Sequence, residues 1–301
     1  MSSNKVSFFT CVARRVGRAA LALAFTGASA LAWAGPDKHH DKMLSLGDSV
    51  VFGYITQDGY AYVNADNFLG YPELVGDALR LDATNASCPG ETTAGFLSLT
   101  APDNGCRPFR ANFPLHESYS STQMDFARAF LGANRKTKLV TLSLGANDGF
   151  LLLAACQLEP NPAACIQRDL LAALGAVFAN LNTILSNLRG TGFKGVLMVV
   201  NYYSVDYNDP GQTGLTMALN QTLAAAAAAN GAVVADAFTA FQKAATASTF
   251  AAGNTCKAGL LNGSNPQIQS LTCDVHPSLS GQSLLAKTVK DAYRAARHGH
   301  D

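Results

Sequence analysis

Short apolar runs, each followed by small polar residues, recur along the chain and restrict its fold more than any other feature of the sequence. Runs of this length that are bounded by glycine, asparagine or aspartate are typical of buried strands. They lie at residues 43–46, 138–144, 196–200 and 232–235, and a short, more polar segment at residues 82–86, also closed by a turn of small residues, is predicted as a further strand. The segments between them are long enough for the crossover helices that parallel strands require. The sequence therefore predicts a single α/β domain with a mainly parallel sheet of about five strands.

Helix signals occupy the intervals between these runs. Apolar residues recur every three or four positions within residues 168–188, and Pro72 stands in the first turn of another predicted helix. The predicted helices span residues 71–81, 123–131, 168–188, 213–229 and 279–297. This alternation predicts a doubly wound, three-layer α/β/α arrangement. Residues 95–119 carry several prolines and no periodicity, so we expect an irregular surface segment there.

Residues 190–195 read G-x-G-x-x-G, which is the pattern of dinucleotide-binding loops. That fingerprint follows a strand and opens a helix. Here the pattern follows a predicted helix and precedes a predicted strand. We therefore interpret it as a helix stop and predict no nucleotide cofactor.

The N-terminal segment differs in composition from the rest of the chain. Arginines precede an apolar run that ends in Ala32-Trp33-Ala34, an A-x-A type cleavage site. We interpret residues 1–34 as a secretory signal peptide, residues 35–42 as a linker and residues 43–301 as the folded domain. A membrane anchor is the alternative, but the apolar run is shorter than the roughly 20 residues that span a bilayer. We expect no stable membrane anchor after cleavage.

Cleavage changes the charge of the chain and the partners it can attract. Removing residues 1–34 leaves 18 basic and 21 acidic residues, so the net charge becomes −3 instead of +1. No basic patch remains that would attract nucleic acid. We predict a secreted protein, either extracellular or periplasmic.

Six cysteines remain after cleavage, an even number in a chain bound for an oxidising compartment. Six cysteines allow 15 pairings. Here they form three local couples, which are Cys88 with Cys106, Cys156 with Cys165 and Cys256 with Cys273. Nearest-neighbour pairing would close short loops, each worth about 3 kcal/mol in the chain-entropy model. The alternative is a metal site, but the sequence contains neither C-x-x-C nor H-E-x-x-H, so we predict no metal.

Ser49 is the first candidate for catalytic chemistry, because it belongs to the Gly47-Asp48-Ser49 turn at the carboxyl end of the first predicted strand. Open α/β sheets bind ligands at the carboxyl ends of their strands, although an ordinary turn or helix-cap serine would give the same pattern. A nucleophilic serine needs a general base. Only His116 and His276 lie away from the terminal segments, and His276 has Asp274 two residues upstream. We favour His276 as the base and interpret His116 as a loop histidine bonded to backbone.

Four short blocks at successive strand ends resemble those of the SGNH or GDSL hydrolases in order and context. They are Gly47-Asp48-Ser49, Gly90, Gly145-Ala146-Asn147-Asp148 and His276-Pro277. The resemblance covers residues 43 to about 297 and is greatest to secreted bacterial esterases and lipases of the family. It implies a flavodoxin-like fold, an ester substrate and no metal or organic cofactor.

The resemblance also implies roles for the matched residues. Ser49 would be the nucleophile and His276 its base. The oxyanion would be held by the backbone N–H groups of Ser49 and Gly90 and by the side-chain amide of Asn147. These residue types suit the roles, because glycine lets backbone approach a substrate closely and an amide is an uncharged donor.

The sequence departs from the family pattern at two positions. The leucine that usually follows the serine is Val50 here. The acid usually found three residues before the histidine is replaced by Cys273, and the nearest acid, Asp274, lies two residues before His276. Residues two apart in an extended segment point to the same side, so Asp274 can still orient the imidazole. The alternative is that a backbone carbonyl orients it.

We therefore expect a secreted serine esterase or lipase that works through an acyl-enzyme. A carbohydrate acetylesterase or a phospholipase on the same scaffold is an alternative. A secreted binding module without turnover is an alternative from a different class. Phe96, Leu97 and residues 109–115 are candidates to line an acyl pocket.

Overall fold

The computed structural model describes residues 41–56, 62–263 and 273–298. The predicted signal peptide lies outside these residues, as does all of the predicted linker except its last two positions. Within the described ranges the chain forms one five-stranded sheet. Its strands are β1 (Lys42–Gly47), β2 (Asp82–Asn85), β3 (Thr137–Ser143), β4 (Val196–Val200) and β5 (Val233–Ala235).

The strand order is β2-β1-β3-β4-β5, and every neighbouring pair is parallel. The chain leaves β1 towards one edge of the sheet to form β2, then crosses back to form β3 on the other side of β1. This reversal makes the carboxyl ends of β1 and β3 the switch point of the sheet, where flavodoxin-like folds bind their ligands. Ser143, at the end of β3, pairs with Gly47 at the end of β1. The predicted fold class is confirmed.

Nine helices lie in the described part of the chain. They are α1 (Ser49–Phe52), α2 (Tyr71–Leu79), α3 (Cys106–Asn112), α4 (Gln123–Ala133), α5 (Ala146–Cys156), α6 (Pro162–Gly190), α7 (Pro210–Ala229), α8 (Ala237–Thr246) and α9 (Leu279–His298). Helices α2, α8 and α9 pack on one face of the sheet, and α4, α6 and α7 pack on the other, with α5 against α6. Both faces are therefore covered, which explains why the strands read as apolar runs.

Four of these helices were not predicted from the sequence. Helix α3 lies inside residues 95–119, which we expected to be irregular throughout. Its Pro108 occupies the third helical position. A backbone N–H at that position has no intrahelical partner, so the proline costs the helix no hydrogen bond. Short helices such as α1, α3 and α8 depend on tertiary packing more than on local propensity, so periodicity does not reveal them.

The described cysteines form three disulfides, which join Cys88 to Cys106, Cys156 to Cys165 and Cys256 to Cys273. These are the local couples of the sequence. Cys156 and Cys165 lie near Asp169, and the three side chains form a group of potential metal ligands. Because both cysteines are joined in a disulfide, neither offers a thiolate to a metal.

Candidate active site

Ser49 is placed by a sharp turn from β1 into α1. Gly47 has a φ of +137°, and a side chain there would clash with the backbone carbonyl of Ser143 on β3. Asp48 then caps α1 by accepting a hydrogen bond from Val50 N at 2.9 Å. Ser49 is thus the first residue of a helix, where its backbone N–H has no intrahelical partner. The serine lies just beyond the carboxyl end of a strand as predicted, but it also begins a helix that the sequence did not indicate.

A hydrogen-bonded chain joins Ser49, His276 and Asp274. Ser49 Oγ lies 2.9 Å from His276 Nε2, and His276 Nδ1 lies 3.0 Å from Asp274 Oδ1. The histidine ring is positioned by Tyr54, whose ring centroid is 4.7 Å away. Tyr203 donates a hydrogen bond of 2.6 Å to the carbonyl of Val275 and fixes the backbone between the acid and the base. This geometry permits proton transfer from the serine hydroxyl to the imidazole.

Asp274 is also held from the side opposite the histidine. Thr56 Oγ1 donates a hydrogen bond of 2.6 Å to Asp274 Oδ2, and the Thr56 backbone N–H donates a longer one. Burial raises the pKa of Asp274, but the hydrogen bonds from His276 and Thr56 outweigh that effect and leave the pKa below its usual value. The carboxylate is therefore ionised at neutral pH and accepts hydrogen bonds with both oxygens.

Gly90 and Asn147 approach Ser49 from two further strand ends. Gly90 has a φ of +84° in the turn after β2, and a side chain there would meet the carbonyl of Asn104. Asn147 lies in the first turn of α5, directly after β3. Its Oδ1 accepts a hydrogen bond of 2.9 Å from Asn104, and its Nδ2 donates to the carbonyl of Glu91 at 3.0 Å. One amide N–H of Asn147 remains for another acceptor.

The acid of the Gly-Asp-Ser turn is buried and bonded to a tyrosine from the end of β4. Tyr202 donates a hydrogen bond of 2.6 Å to Asp48 Oδ2. Burial raises the pKa of Asp48 to about 6, although the hydrogen bonds from Tyr202 and Val50 oppose the rise. The bond connects the segments that follow β1 and β4, across the end of β3, and stabilises the turn that carries Ser49.

A second buried carboxyl lies behind the Gly90 turn. Gln123 Nε2 donates to Glu91 Oε2 at 3.3 Å, and the same amide makes two hydrogen bonds with the backbone of Gly47. Burial raises the pKa of Glu91 to about 7, against the opposing effect of the Gln123 hydrogen bond. Gln123 thus links the end of β1 with the turn that carries Gly90.

The site opens into one cavity of about 630 Å³. Ser49, Gly90, Asn147 and His276 all line it, so the structure brings together the predicted nucleophile, base and oxyanion residues. Asp274 lies behind the histidine and contacts it directly. Among the described residues, the rest of the lining is mainly apolar and comes from helices α5, α6 and α7.

Most of the residues predicted to form the acyl pocket do not line the cavity. Phe109 lines it, but residues 110–115 do not, Phe96 is fully buried in the core and Leu97 packs against that core. The apolar wall comes instead from α5 to α7. The run Phe150-Leu151-Leu152-Leu153 was the sequence signal for this wall, but four consecutive apolar residues show no period that distinguishes a cavity wall from a core.

Sequence reasoning also missed several supporting residues. Thr56, Asn104 and Tyr202 each hold a site residue by one side-chain hydrogen bond, and none belongs to a recognisable motif. His116 Nε2 donates a hydrogen bond of 3.0 Å to the carbonyl of Phe52, and the imidazole packs against the Phe52 ring. This matches its interpretation as a loop histidine bonded to backbone.

A family model described as the GDSL-like Lipase/Acylhydrolase family matches residues 45–284. The fold is similar to that of phospholipase A1 from Streptomyces albidoflavus NA297, with a TM-score of 0.53, 18% sequence identity and coverage of 84% of this chain and 99% of that chain. It is also similar to an alpha/beta hydrolase enzyme from the metagenome of Lake Arreo, Spain, with a TM-score of 0.52, 14% identity and coverage of 84% and 95%. No curated protein sequence matches the chain. At these identities the structural similarity establishes the fold alone.

Proposed function

The chain belongs to the GDSL-like lipase/acylhydrolase family, and on that basis we propose that it is a serine hydrolase that cleaves carboxylic esters. The observation that carries the proposal is the pair of contacts of His276, with Ser49 at 2.9 Å and with Asp274 at 3.0 Å. A serine activated in this way is typical of enzymes that form an acyl-enzyme.

In the first half of the reaction Ser49 Oγ attacks the ester carbonyl carbon, and its proton passes to His276 Nε2. Negative charge develops on the carbonyl oxygen, where the N–H groups of Ser49 and Gly90 and the amide of Asn147 stabilise it. The C–O bond of the ester then breaks, and the departing alcohol takes the proton from His276. Asp274 remains ionised and stabilises the imidazolium.

In the second half a water molecule attacks the acyl-enzyme. His276 removes a proton from the water, and the bond between the acyl carbon and Ser49 Oγ breaks. The proton returns to Ser49, and the carboxylic acid leaves. In both halves of the reaction, His276 accepts and returns each proton.

We also infer that the enzyme is secreted. Residues 1–34 have the composition of a signal peptide with an A-x-A cleavage site. The three disulfides support this inference, because such bonds persist in oxidising compartments and are rare in the cytosol.

The test is hydrolysis of p-nitrophenyl butyrate by the purified protein beside two serine variants. Ser49→Ala should lower kcat by at least about 10⁴-fold, as expected for loss of a nucleophile. Ser186→Ala, which removes an exposed hydroxyl from α6, should have no effect. A fluorophosphonate probe should label the wild type and not Ser49→Ala. A Ser49→Ala variant that retains wild-type activity would refute the assignment, and absence of both labelling and turnover in the wild type would favour a binding module.

A further inference from the structure

Three helices each present one face to the cavity beside Ser49, and these faces are mainly apolar. On α6 the lining residues are Ile166, Leu170, Ala173, Leu174 and Val177, which follow the three- and four-residue spacing of one helical face. On α7 the lining residues are Gln212, Leu215, Thr216 and Leu219, with the same spacing. Helix α5 contributes Phe150, Leu152 and Leu153. We call this part of the cavity the α5–α7 channel.

The channel has a near end and a far end relative to Ser49. A side-chain carbon placed on Gly145, two residues before Asn147, would contact Val177 and Leu219, so these residues lie at the near end. Helix α5 runs away from Asn147 to Cys156, where a disulfide joins it to the first turn of α6. Ile166 is next to that disulfide and therefore marks the far end.

The length of the channel follows from the helix that lines it. Ile166 and Val177 are separated by 11 residues on α6, which corresponds to a rise of roughly 16 Å. An extended chain advances about 3.5 Å for every three bonds, so this length accommodates on the order of a dozen methylene groups.

The channel offers no charge to a polar ligand. Two carboxylates line the cavity, Asp48 and Asp148, and both belong to its catalytic end. Tyr202 and Val50 donate hydrogen bonds to Asp48, and Thr93 donates hydrogen bonds to both carboxylate oxygens of Asp148. Lysine and arginine do not contribute to the lining within the described residues.

Gln212 and Thr216 are the polar side chains among the channel residues named above, and both already bond to backbone, Gln212 by accepting from Asp206 N and Thr216 by donating to the carbonyl of Gln212. A sugar or a phosphate group would therefore find few partners in the channel, at a high desolvation penalty.

We infer that the α5–α7 channel binds the acyl chain of a medium-chain ester whose carbonyl carbon lies at Ser49. This inference rests on the proposed function and specifies its substrate class. The alcohol portion of the ester lies outside the channel, so the enzyme selects its substrates by the length of the acyl chain. Each methylene group that enters the channel should raise kcat/KM about fourfold, until the far end is reached.

The test is the ratio of kcat/KM for p-nitrophenyl laurate to that for p-nitrophenyl acetate. In the wild type this ratio should exceed 10², and the profile over acetate, butyrate, octanoate, laurate and palmitate should peak at laurate. Leu174→Trp and Leu170→Trp should each lower the laurate-to-acetate ratio at least tenfold. The substitution at position 174 should exclude shorter chains than that at position 170, because Leu174 lies closer to Ser49.

Leu171→Trp is the matched control. Leu171 neighbours Leu170 on α6 but is exposed and does not line the channel, so the ratio should stay within twofold of wild type. Circular dichroism and a urea unfolding curve establish that each variant is folded. If a tryptophan variant does not fold, Leu174→Ala replaces it and should move the preferred chain length upwards.

A second measurement separates this inference from the proposed function. Calorimetry should detect binding of laurate to Ser49→Ala and at least tenfold weaker binding to the Ser49→Ala/Leu174→Trp double variant. This result would support the channel even if the wild type hydrolysed no ester tested. An active wild type that prefers acetate, or that hydrolyses acetylated xylan better than laurate, would overturn the inference and leave the serine hydrolase assignment intact.

Discussion

Replacing Asp274 with asparagine isolates the contribution of one negative charge to catalysis. The substitution keeps the shape of the side chain and removes the charge that faces the imidazolium formed during attack. At the observed 3.0 Å, the interaction is worth about 5.5 kcal/mol at an effective dielectric of 20 and about 1.4 kcal/mol in bulk water. The Asp274 side chain is 25% exposed, so an intermediate value of about 3 kcal/mol applies. We therefore expect kcat/KM to fall about 100-fold.

The assay is steady-state hydrolysis of p-nitrophenyl butyrate at pH 8, with His276→Ala as the reference for complete loss of the base. That variant should lose at least about 10⁴-fold, which is more than Asp274→Asn loses. Thr56→Val is a milder variant, because it removes one hydrogen bond from the Asp274 carboxylate and leaves its charge. We expect it to lower kcat/KM by up to about tenfold. An Asp274→Asn variant within threefold of wild type would refute the role of the carboxylate and favour a backbone carbonyl as the group that orients the histidine.

Three further predictions concern the oxyanion site, a buried acid and a disulfide. Asn147→Ala should lower kcat about 10²- to 10³-fold, measured on the same ester, whereas Asn104→Ala should lose less because it only orients that amide. Glu91 has a pKa raised from 4.5 to about 7 by burial, so the folded state keeps a proton that the unfolded state releases. The difference in free energy of unfolding between wild type and Glu91→Gln should therefore decrease as the pH rises from 4.5 to 7, by up to about 3 kcal/mol in urea titrations. A difference that does not change with pH would contradict the argument from burial. Replacing Cys88 and Cys106 with alanine should lower the free energy of unfolding by about 3 kcal/mol, and a loss below about 1 kcal/mol would show that the 18-residue separation contributes little.

Most of the sheet could be predicted because its inner strands are buried on both faces and appear in the sequence as apolar runs. The edge strand β2 is polar and partly exposed, and only the turn of small residues after it marked its position. All five predicted strands agree with the observed ones within one residue at each end. The long helices between them carry a clear three- and four-residue period. The residues that follow the strands could be placed near one another for the same reason, because parallel strands bring their carboxyl ends to one edge.

The residues that support the site could not be predicted in this way. Thr56 and Asp274 are joined by a side-chain hydrogen bond across 218 positions of sequence, and Tyr202 and Asp48 across 154. Contacts of this kind depend on the three-dimensional path of loops, which local pattern does not encode. Helix α5 was missed because its apolar residues serve a cavity and not the core, so the usual amphipathic period is absent.

The disulfides have a consequence for when the enzyme becomes active. Each links a different loop of the candidate site, and among the described residues none joins two strands of the sheet. Cys88 precedes the Gly90 turn, Cys273 precedes Asp274, and Cys156 closes the far end of the channel. Without the disulfides the chain would therefore assemble its core and leave these loops unfixed. Disulfide formation is then the step that brings the candidate site into its final geometry.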